Sequence, residues 1–266
     1  MIAALRPFLR ARSGRAAPAL PAGERIYAIG DIHGRRDLLE SLIGAIEADD
    51  AASVPAETTV ILLGDLVDRG ADSAGVIAAA RAWGMRRRVR IVAGNHEEMF
   101  LQCFSDRELM RAFLRFGGRE TVLSYPVDAT RFALADVETA QAMMREAVPA
   151  ADLEFIRGFE DRILIGDYLF VHAGVRPGVA LDDQLLSDLR WIRAEFTESR
   201  RHHGVVVVHG HTITDQVEIR GNRIGIDTGA FASGKLTALR LEGTARHLLE
   251  TRETDEGVAV EMRSIP

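Results

Sequence analysis

The sequence contains very little cysteine, since Cys103 is the only one among 266 residues. An intrachain disulfide is therefore impossible, and we expect a protein of a reducing compartment, the cytoplasm. Lysine is equally scarce: Lys235 is the only lysine, and arginines spread along the chain supply the positive charge. No hydrophobic run approaches the roughly 18 residues needed to cross a bilayer, so we expect no transmembrane segment.

Several common catalytic signatures are also missing. The chain has no GxxxxGK(S/T) phosphate loop and no GxSxG nucleophile elbow, which argues against a nucleotide-driven motor and a serine hydrolase. Cys103 lacks the downstream arginine of a thiolate phosphatase loop, and we interpret it as a core residue. The net charge of −6 gives no sign of a nucleic-acid-binding surface, so we expect no nucleic-acid partner.

The first 22 residues contain four arginines and no acidic residue. Charged residues and a proline interrupt the hydrophobic stretch that a signal peptide would need. We interpret residues 1–22 as a flexible basic tail, with a membrane-surface or partner-binding role as the alternative. One domain is expected over residues 23–252, followed by a C-terminal tail at 253–266.

Short hydrophobic runs alternate with helical patterns in the domain, which predicts βα units and an α/β fold. Strands are predicted at residues 25–29, 59–63 and 89–93, each followed by a helix. Residues 106–150 have helical spacing without a chemical motif, so we expect a small helical cap insertion there. Six further strand patterns lie between residues 162 and 241, and their closeness predicts antiparallel pairing in a second sheet.

Five short motifs follow predicted strands: GDIHG at 30–34, GDLVDRG at 64–70, GNHE at 94–97, HAG at 172–174 and HGHT at 209–212. Loops beyond the carboxyl ends of strands in an α/β sheet meet in one crevice, so these motifs converge. Their oxygen and nitrogen ligands suit divalent ions such as Mn²⁺, Fe or Zn²⁺. The six candidate metal ligands are Asp31, His33, Asp65, Asn95, His172 and His211.

Two ions held roughly 3.5–4 Å apart can clamp the attacking and leaving oxygens of an in-line displacement at phosphorus. Such a pair needs a bridging carboxylate, and Asp65 is the natural candidate because its motif lies between the other two early motifs. A water shared by the ions would have a lowered pKa and become the nucleophile.

The order of the five motifs resembles the metallophosphoesterase, or calcineurin-like, superfamily, and within it the phosphoprotein phosphatase family in its bacterial form. The resemblance runs over residues 24–241 and implies a β-sandwich of two sheets flanked by helices. It also implies two divalent metal ions, with Mn²⁺ preferred. Asp31 and His33 would then hold the first ion and Asp65 would bridge. The second ion would be completed by Asn95, His172 and His211.

The same resemblance assigns residues to the reaction. His96 matches the general acid that protonates the leaving oxygen, and Asp68 matches the carboxylate that orients it. Arg69 matches a phosphate-binding arginine, whose planar guanidinium suits two phosphate oxygens. Arg193 resembles the second such arginine, with Arg176 as a competitor for that role.

The expected function is hydrolysis of phosphate monoesters, with phosphoserine and phosphothreonine in proteins preferred over small phosphoesters. HAG and HGHT depart from eukaryotic members and resemble bacterial ones, and nothing near residues 227–231 matches the eukaryotic active-site tyrosine. One alternative is a symmetrical dinucleoside-polyphosphate hydrolase, which shares the motif order. Another is a non-catalytic, metal-containing scaffold. The oligomeric state stays open.

Overall fold

The computed structural model describes residues 17–266, so most of the expected basic tail lies outside the described residues. Two β-sheets pack face to face, and helices cover their outer faces. The predicted α/β sandwich of two sheets flanked by helices is confirmed. Within residues 17–266, no helix combines the length and hydrophobicity needed to cross a bilayer.

The first sheet has six strands, in the spatial order β11-β10-β9-β1-β2-β3. Strands β1, β2 and β3, which precede the three early motifs, run parallel to one another. The other strand pairs of this sheet, β1–β9, β9–β10 and β10–β11, are antiparallel. The strands of this sheet are β1 (Glu24–Ile29), β2 (Glu57–Leu62), β3 (Val89–Ile91), β9 (Thr237–Glu242), β10 (Ala245–Thr254) and β11 (Gly257–Ile265).

The second sheet has five strands, in the order β4-β5-β6-β8-β7. Its inner pairs, β5–β6 and β6–β8, are parallel, and only the outer pairs are antiparallel. The strands are β4 (Ile163–Ile165), β5 (Tyr168–Phe170), β6 (Val206–His209), β7 (Glu218–Ile219) and β8 (Arg223–Gly225).

Three sequence-based expectations about these sheets are wrong in whole or in part. The expected antiparallel pairing of the second sheet holds for β7 with β8 and for β4 with β5. The inner pairs are parallel instead, because the connection from β5 to β6 is long enough for a crossover with helices. The strand predicted near residues 235–241 pairs with β1 and belongs to the first sheet. The expected C-terminal tail at 253–266 instead holds the end of β10 and the whole of β11, whose nine-residue register with β10 fixes it to the sheet.

Eleven α-helices are described, and residues 106–150, expected to be a helical cap, are helical for most of their length. A π-helical turn, Leu114–Gly118, joins two of them, and a short 3₁₀-helix spans Leu181–Asp183. The helices are α1 (Arg36–Ala52), α2 (Ser73–Gly84), α3 (Asn95–Gln102), α4 (Arg107–Phe113), α5 (Arg119–Ser124), α6 (Ala129–Leu134), α7 (Val137–Ala147), α8 (Ala150–Arg157), α9 (Leu186–Trp191), α10 (Ala194–Thr197) and α11 (Ala230–Ser233).

Aspartates begin several of these helices by accepting hydrogen bonds from the first free backbone N–H groups. Asp72 accepts from Gly75 at the start of α2, at 2.8 Å. In the cap, Asp106, Asp128 and Asp136 start α4, α6 and α7 in the same way. The boundaries of these cap helices therefore follow from local sequence.

The core lies in layers. Ile26 and Ile61 of the first sheet meet Phe170 and Val208 of the second between the sheets, and all four are fully buried or nearly so. Helices α1 and α2 cover the outer face of the first sheet, while α9 and α10 cover the outer face of the second. This layering fixes the carboxyl ends of β1, β2, β5 and β6 relative to one another.

Candidate metal centre and active site

The predicted metal ligands lie just beyond the ends of strands from both sheets. Asp31 and Asp65 follow β1 and β2, and His172 and His211 follow β5 and β6. The structure brings all six predicted ligands to this one edge, and each side chain is at most 5% exposed. Buried charged and imidazole groups at such density need a partner that compensates them.

Asp65 lies at the centre of this cluster. Its Oδ2 is 3.6 Å from His33 Nε2, and its Oδ1 is 3.4 Å from His172 Nε2. Two groups of side chains with converging ligand atoms share Asp65, one with His33 and His96 and the other with His172 and His211. A carboxylate whose two oxygens face separate histidines has the arrangement of a bridging metal ligand.

Hydrogen bonds to the backbone fix the histidine tautomers. His33 Nδ1 donates to the Val67 carbonyl at 2.8 Å, and His172 Nδ1 donates to the Leu63 carbonyl at 2.7 Å. Each Nε2 therefore keeps its lone pair and directs it at the cluster. His172 Nε2 lies 2.9 Å from Asn95 Oδ1, itself an acceptor. Two acceptors that face each other at this distance fit a divalent cation bound between them.

Burial dominates the electrostatics of these ligands. It raises the pKa of Asp65 to about 6 and lowers the pKa of His172 to about 4. The pKa of His211 falls to about 2, again mainly through burial. The histidines are thus neutral and able to bind metal at physiological pH.

Asp227 is a buried carboxylate of the site that was not among the residues predicted from the sequence. It is 2% exposed and lies against Asp31, whose pKa is raised first by burial and then by the negative charge of Asp227. The Asp31 carboxylate also accepts the His211 N–H at 3.0 Å. A signal was present, because Asp227 follows strand β8 just as Asp31 follows β1.

His96 and Asp68 form a buried pair. His96 Nδ1 donates to Asp68 Oδ2 at 2.6 Å, and Thr121 Oγ1 donates to the other Asp68 oxygen, also at 2.6 Å. The second ring nitrogen, Nε2, faces Asp65 Oδ2 at 3.9 Å. Burial lowers the pKa of His96, and the charge of Asp65 opposes that shift. A carboxylate-oriented histidine facing the cluster has the geometry of a proton donor to a bound phosphate.

Two arginines lie at the site. Arg69 reaches both His33 Nε2, at 2.8 Å, and His96 Nε2, at 2.9 Å, and its guanidinium lies 4.9 Å from the centre of the Phe231 ring. Arg193 Nη1 is 3.5 Å from the His211 carbonyl oxygen. The structure therefore places both predicted phosphate-binding arginines beside the cluster.

Arg176, the competitor of Arg193, is directed elsewhere. Its guanidinium pairs with Asp188 at 2.7 Å and with Glu195 at 2.8 Å. Arg176 is also 44% exposed, so its charge is largely spent on surface ion pairs. Of the two, Arg193 is the arginine that lies at the site.

Backbone strain is concentrated at the same place. Among the described residues, every non-glycine residue with a positive φ belongs to the predicted site. L-amino acids adopt this left-handed conformation only at a cost, which the surrounding structure must meet. These residues are His33, Asp65, Asp68, Arg69 and His211, with φ from 46° to 74°.

Glu97 holds the loop that carries Asp65. Its buried carboxylate accepts backbone N–H bonds from Asp65 at 2.8 Å, Leu66 at 2.7 Å, Val67 at 3.3 Å and Gly94 at 3.0 Å. Burial raises the pKa of Glu97 to about 7. The GNHE motif contained this residue, but three of its four partners are about thirty positions away in sequence, so its role in holding the Asp65 loop was not visible there.

Comparison with known proteins places this geometry in a family. The sequence profile of the calcineurin-like phosphoesterases matches residues 24–230, well over half of the chain. The chain belongs to the calcineurin-like phosphoesterase family. Family membership and the buried Asp and His groups identify the protein as a metal-dependent phosphoesterase.

Two curated relatives of this phosphoesterase cover most of its length. An asymmetrical bis(5′-nucleosyl)-tetraphosphatase of Anoxybacillus flavithermus is 26% identical over 235 residues, which cover 80% of this chain and 88% of the relative. A symmetrical bis(5′-nucleosyl)-tetraphosphatase of Janthinobacterium is 26% identical over 283 aligned positions, covering 81% of this chain and 92% of the relative.

Solved structures share the fold of this phosphoesterase. A protein provisionally named a diadenosine tetraphosphatase has a TM-score of 0.59 at 20% identity and covers 93% of this chain and 98% of its own. The cold-active protein-tyrosine phosphatase of a Shewanella species has a TM-score of 0.57 at 17% identity, with coverage of 93% and 83%. At these identities the likeness concerns the fold alone.

Proposed function

We propose that this phosphoesterase hydrolyses dinucleoside polyphosphates, attacking one phosphorus of the polyphosphate chain with water. The observation that carries the proposal is the substrate shared by its relatives: both the asymmetrical and the symmetrical full-length relatives are named bis(5′-nucleosyl)-tetraphosphatases. This supports the alternative drawn from the sequence over the protein phosphatase that we expected first.

The residues at the site suit a polyphosphate. We assign Asp31, His33, Asp65, Asn95, His172 and His211 to two divalent cations, which when bound supply positive charge to phosphoryl oxygens and acidify water. Arg69 and Arg193 add two guanidinium groups beside the cluster. A guanidinium group binds two phosphate oxygens at once and keeps its charge. The two arginines would therefore hold the polyphosphate and stabilise the transition state of its hydrolysis.

His96 is the proposed proton donor to the leaving oxygen, and Asp68 orients it. The Asp68 carboxylate keeps the Nδ1 proton in place, which leaves Nε2 to handle the proton on the substrate side. A nucleotide is a weakly basic leaving group, whereas a serine side chain leaves as a strongly basic alkoxide. The demand on His96 therefore differs between the two candidate substrates.

Protein phosphoserine and phosphothreonine form the second candidate substrate class. The complete GDLVDRG and GNHE motifs and the His96–Asp68 pair, at 2.6 Å, favour it. Mn²⁺, Fe and Zn²⁺ all match the mixed nitrogen and oxygen ligands, and metal analysis of the purified protein decides among them.

A substrate panel tests the assignment. Purified, metal-loaded protein is assayed on diadenosine tetraphosphate and on a phosphoserine peptide, and nucleotide products are separated by chromatography. Two molecules of ADP indicate symmetrical cleavage, and AMP with ATP indicates asymmetrical cleavage. We expect the larger kcat/KM on the dinucleotide. A kcat/KM that is larger on the phosphopeptide overturns the proposal. If neither substrate is turned over in a metal-dependent way, the result favours the non-catalytic, metal-containing scaffold.

A further inference from the structure

An exposed tryptophan stands at the rim of the metal centre. Trp191 is the last residue of α9, and its backbone lies beside the His211 imidazole. Arg193, one of the two arginines at the site, follows two residues later and reaches the His211 carbonyl oxygen. The Trp191 backbone therefore lies next to the side of the site where Arg193 would hold the polyphosphate.

The Trp191 side chain is anchored at its edge and open elsewhere. Its Nε1–H donates to Glu98 Oε2 at 3.2 Å, and Glu98 lies two residues after His96 in α3. Arg190 also reaches Glu98, at 3.3 Å, and holds Asp161 at 2.6 Å, so the end of α9 is braced against two other segments. Even so, 41% of Trp191 is exposed.

An indole that is exposed and also hydrogen-bonded at its edge can present a flat apolar face to a ligand. A large aromatic ring held in place by a hydrogen bond exposes apolar area that water hydrates poorly, and ordering it costs no further entropy on binding. Phe231, an aromatic side chain that contacts the cluster, is not equivalent. Arg69 lies over its ring and His33 contacts it edge-on at 5.5 Å, so Phe231 is already engaged.

We propose that Trp191 is the platform on which a nucleobase of the substrate stacks while the polyphosphate lies against Arg69 and Arg193. The inference rests on the dinucleotide activity proposed above and deepens it by assigning a subsite for a base. Stacking does not depend on base identity, so the platform accepts purine and pyrimidine dinucleotides alike, with purines favoured by their larger rings.

Kinetics test the platform by comparing a substrate that has bases with an inhibitor that has none. For Trp191→Ala we expect the KM ratio, which is the KM for diadenosine tetraphosphate divided by the inhibition constant of inorganic tripolyphosphate, to rise roughly 5- to 150-fold, as follows from the loss of one base–aromatic stack. Trp191→Phe, which keeps a ring, should restore most of the ratio. Leu186→Ala is the matched control, because Leu186 is a 50% exposed hydrophobic residue on the same helix.

Tryptophan fluorescence tests the contact without turnover. The chain has two tryptophans, and the other, Trp83, is 1% exposed and bonded to Glu47. In a His96→Ala background with the divalent ion present, ADP should quench Trp191 emission, and inorganic tripolyphosphate should not. The response should survive Trp83→Phe and disappear in Trp191→Phe.

The outcomes separate this inference from the proposed function. If the dinucleotide is hydrolysed but Trp191→Ala leaves the KM ratio unchanged, the platform is overturned and the function stands. If ADP quenches Trp191 but no dinucleotide is cleaved, the base subsite stands and the proposed substrate is wrong. Equal quenching by tripolyphosphate and ADP overturns the platform, because the signal would then report phosphate binding.

Discussion

Asp65 carries more of the site than any other single side chain, because both candidate cation positions depend on its two oxygens. Its φ of 50° and its burial are both unfavourable for an aspartate. The Glu97 carboxylate holds its backbone, and the His96 N–H donates to its Oδ1 at 3.0 Å. Neighbouring residues thus offset the cost of placing a charge between the two candidate cation positions.

Metal affinity should depend on pH through Asp65. Burial raises the pKa of Asp65 from 3.8 to about 6, so between those values a cation must displace a proton to bind. Affinity should be higher above pH 6 and fall by at least about tenfold per unit as the pH decreases below it, because one proton is displaced from Asp65, and Asp31, whose pKa is also raised by burial, adds to that number. His172 and His211, with pKa values of about 4 and 2, do not compete in that range. Calorimetric titration of Mn²⁺ at pH 5, 6, 7 and 8 measures this, and equal affinities at pH 5 and 7 contradict it.

Glu97→Gln should weaken metal binding without touching a metal ligand. The amide has one acceptor oxygen for the four N–H groups that the carboxylate binds, so some of these donors lose their partner. We expect about 10- to 100-fold lower metal affinity, the range for lost supporting groups. Unfolding should become easier by about 1–3 kcal/mol. Calorimetry and urea unfolding measure both, and Glu40→Gln, at the surface, is the control. Unchanged metal affinity would show that the Asp65 loop keeps its conformation without the Glu97 carboxylate.

His96→Ala separates a proton donor from a metal ligand. As a lost general acid it should lower turnover of an alkyl phosphate monoester by about 10²–10⁴-fold, with a smaller loss on diadenosine tetraphosphate because its leaving group needs less protonation. Elemental analysis should find the same metal content as in the wild-type protein. Loss of one metal ion per chain would instead assign His96 as a ligand, as its 3.9 Å approach to Asp65 permits.

At the scale of elements, the helical cap contributes directly to the site. Thr121 of α5 holds Asp68, and the Gly117 carbonyl in the π-helical turn accepts the Arg69 N–H at 3.0 Å. Gly117 has a φ of 108°, and a side chain there would lie 2.7 Å from Arg69 atoms. The cap therefore fixes both the residue that orients His96 and the loop that presents Arg69.

Gly117→Ala should therefore weaken phosphate binding as well as the fold. The added methyl group must displace the Arg69 backbone, and the left-handed φ adds strain of about 1–3 kcal/mol. Gly44→Ala is the matched control: Gly44 is exposed in α1 with no atom within 4 Å of the new carbon. It should stabilise the protein by about 0.5–1 kcal/mol and leave activity alone. Both variants are compared by product inhibition with phosphate and by thermal unfolding. An unchanged inhibition constant for Gly117→Ala would contradict the proposed dependence of phosphate binding on Gly117.

The elements also mark how far the sequence could predict the structure. Strands β1, β2 and β3 and the ligand-bearing loops after them were predictable, because each strand ends at a glycine followed by polar motif residues. The pairing of β9 with β1 was not, since it joins residues more than 200 positions apart. The β10–β11 hairpin was missed because no residue of its edge strand, β11, is fully buried, although Val258, Val260 and Met262 alternate along it. Glu97 and Thr121 were missed as site residues because folding brings their distant partners to them. Asp227 was missed although it follows β8 as Asp31 follows β1.

For the whole molecule, the candidate cations would join the two sheets. Asp31 and Asp65 come from loops of the first sheet, and His172 and His211 from loops of the second. The sheets otherwise meet through the hydrophobic layer between them. A cation bound by both sets of loops therefore stabilises the packing of one sheet on the other.

Removal of the cations should lower the melting temperature. A ligand present at a hundred times its dissociation constant stabilises the folded state by about 2.7 kcal/mol. For a chain of this size, each kcal/mol corresponds to roughly 2–4 °C. Scanning calorimetry before and after chelation measures the change, and restored Mn²⁺ should reverse it. Asp65→Asn should show a much smaller difference, and an equal difference in that variant would mean that the ions stabilise some other part of the protein.

The left-handed backbone at His33, Asp65, Asp68, Arg69 and His211 bears on how this enzyme can be engineered. Glycine is the residue that such positions accept most easily, so a selection for heat resistance alone would favour replacing the very groups that perform the reaction. Directed evolution of a hardier variant should therefore leave these five codons fixed and seek its gains in exposed helices.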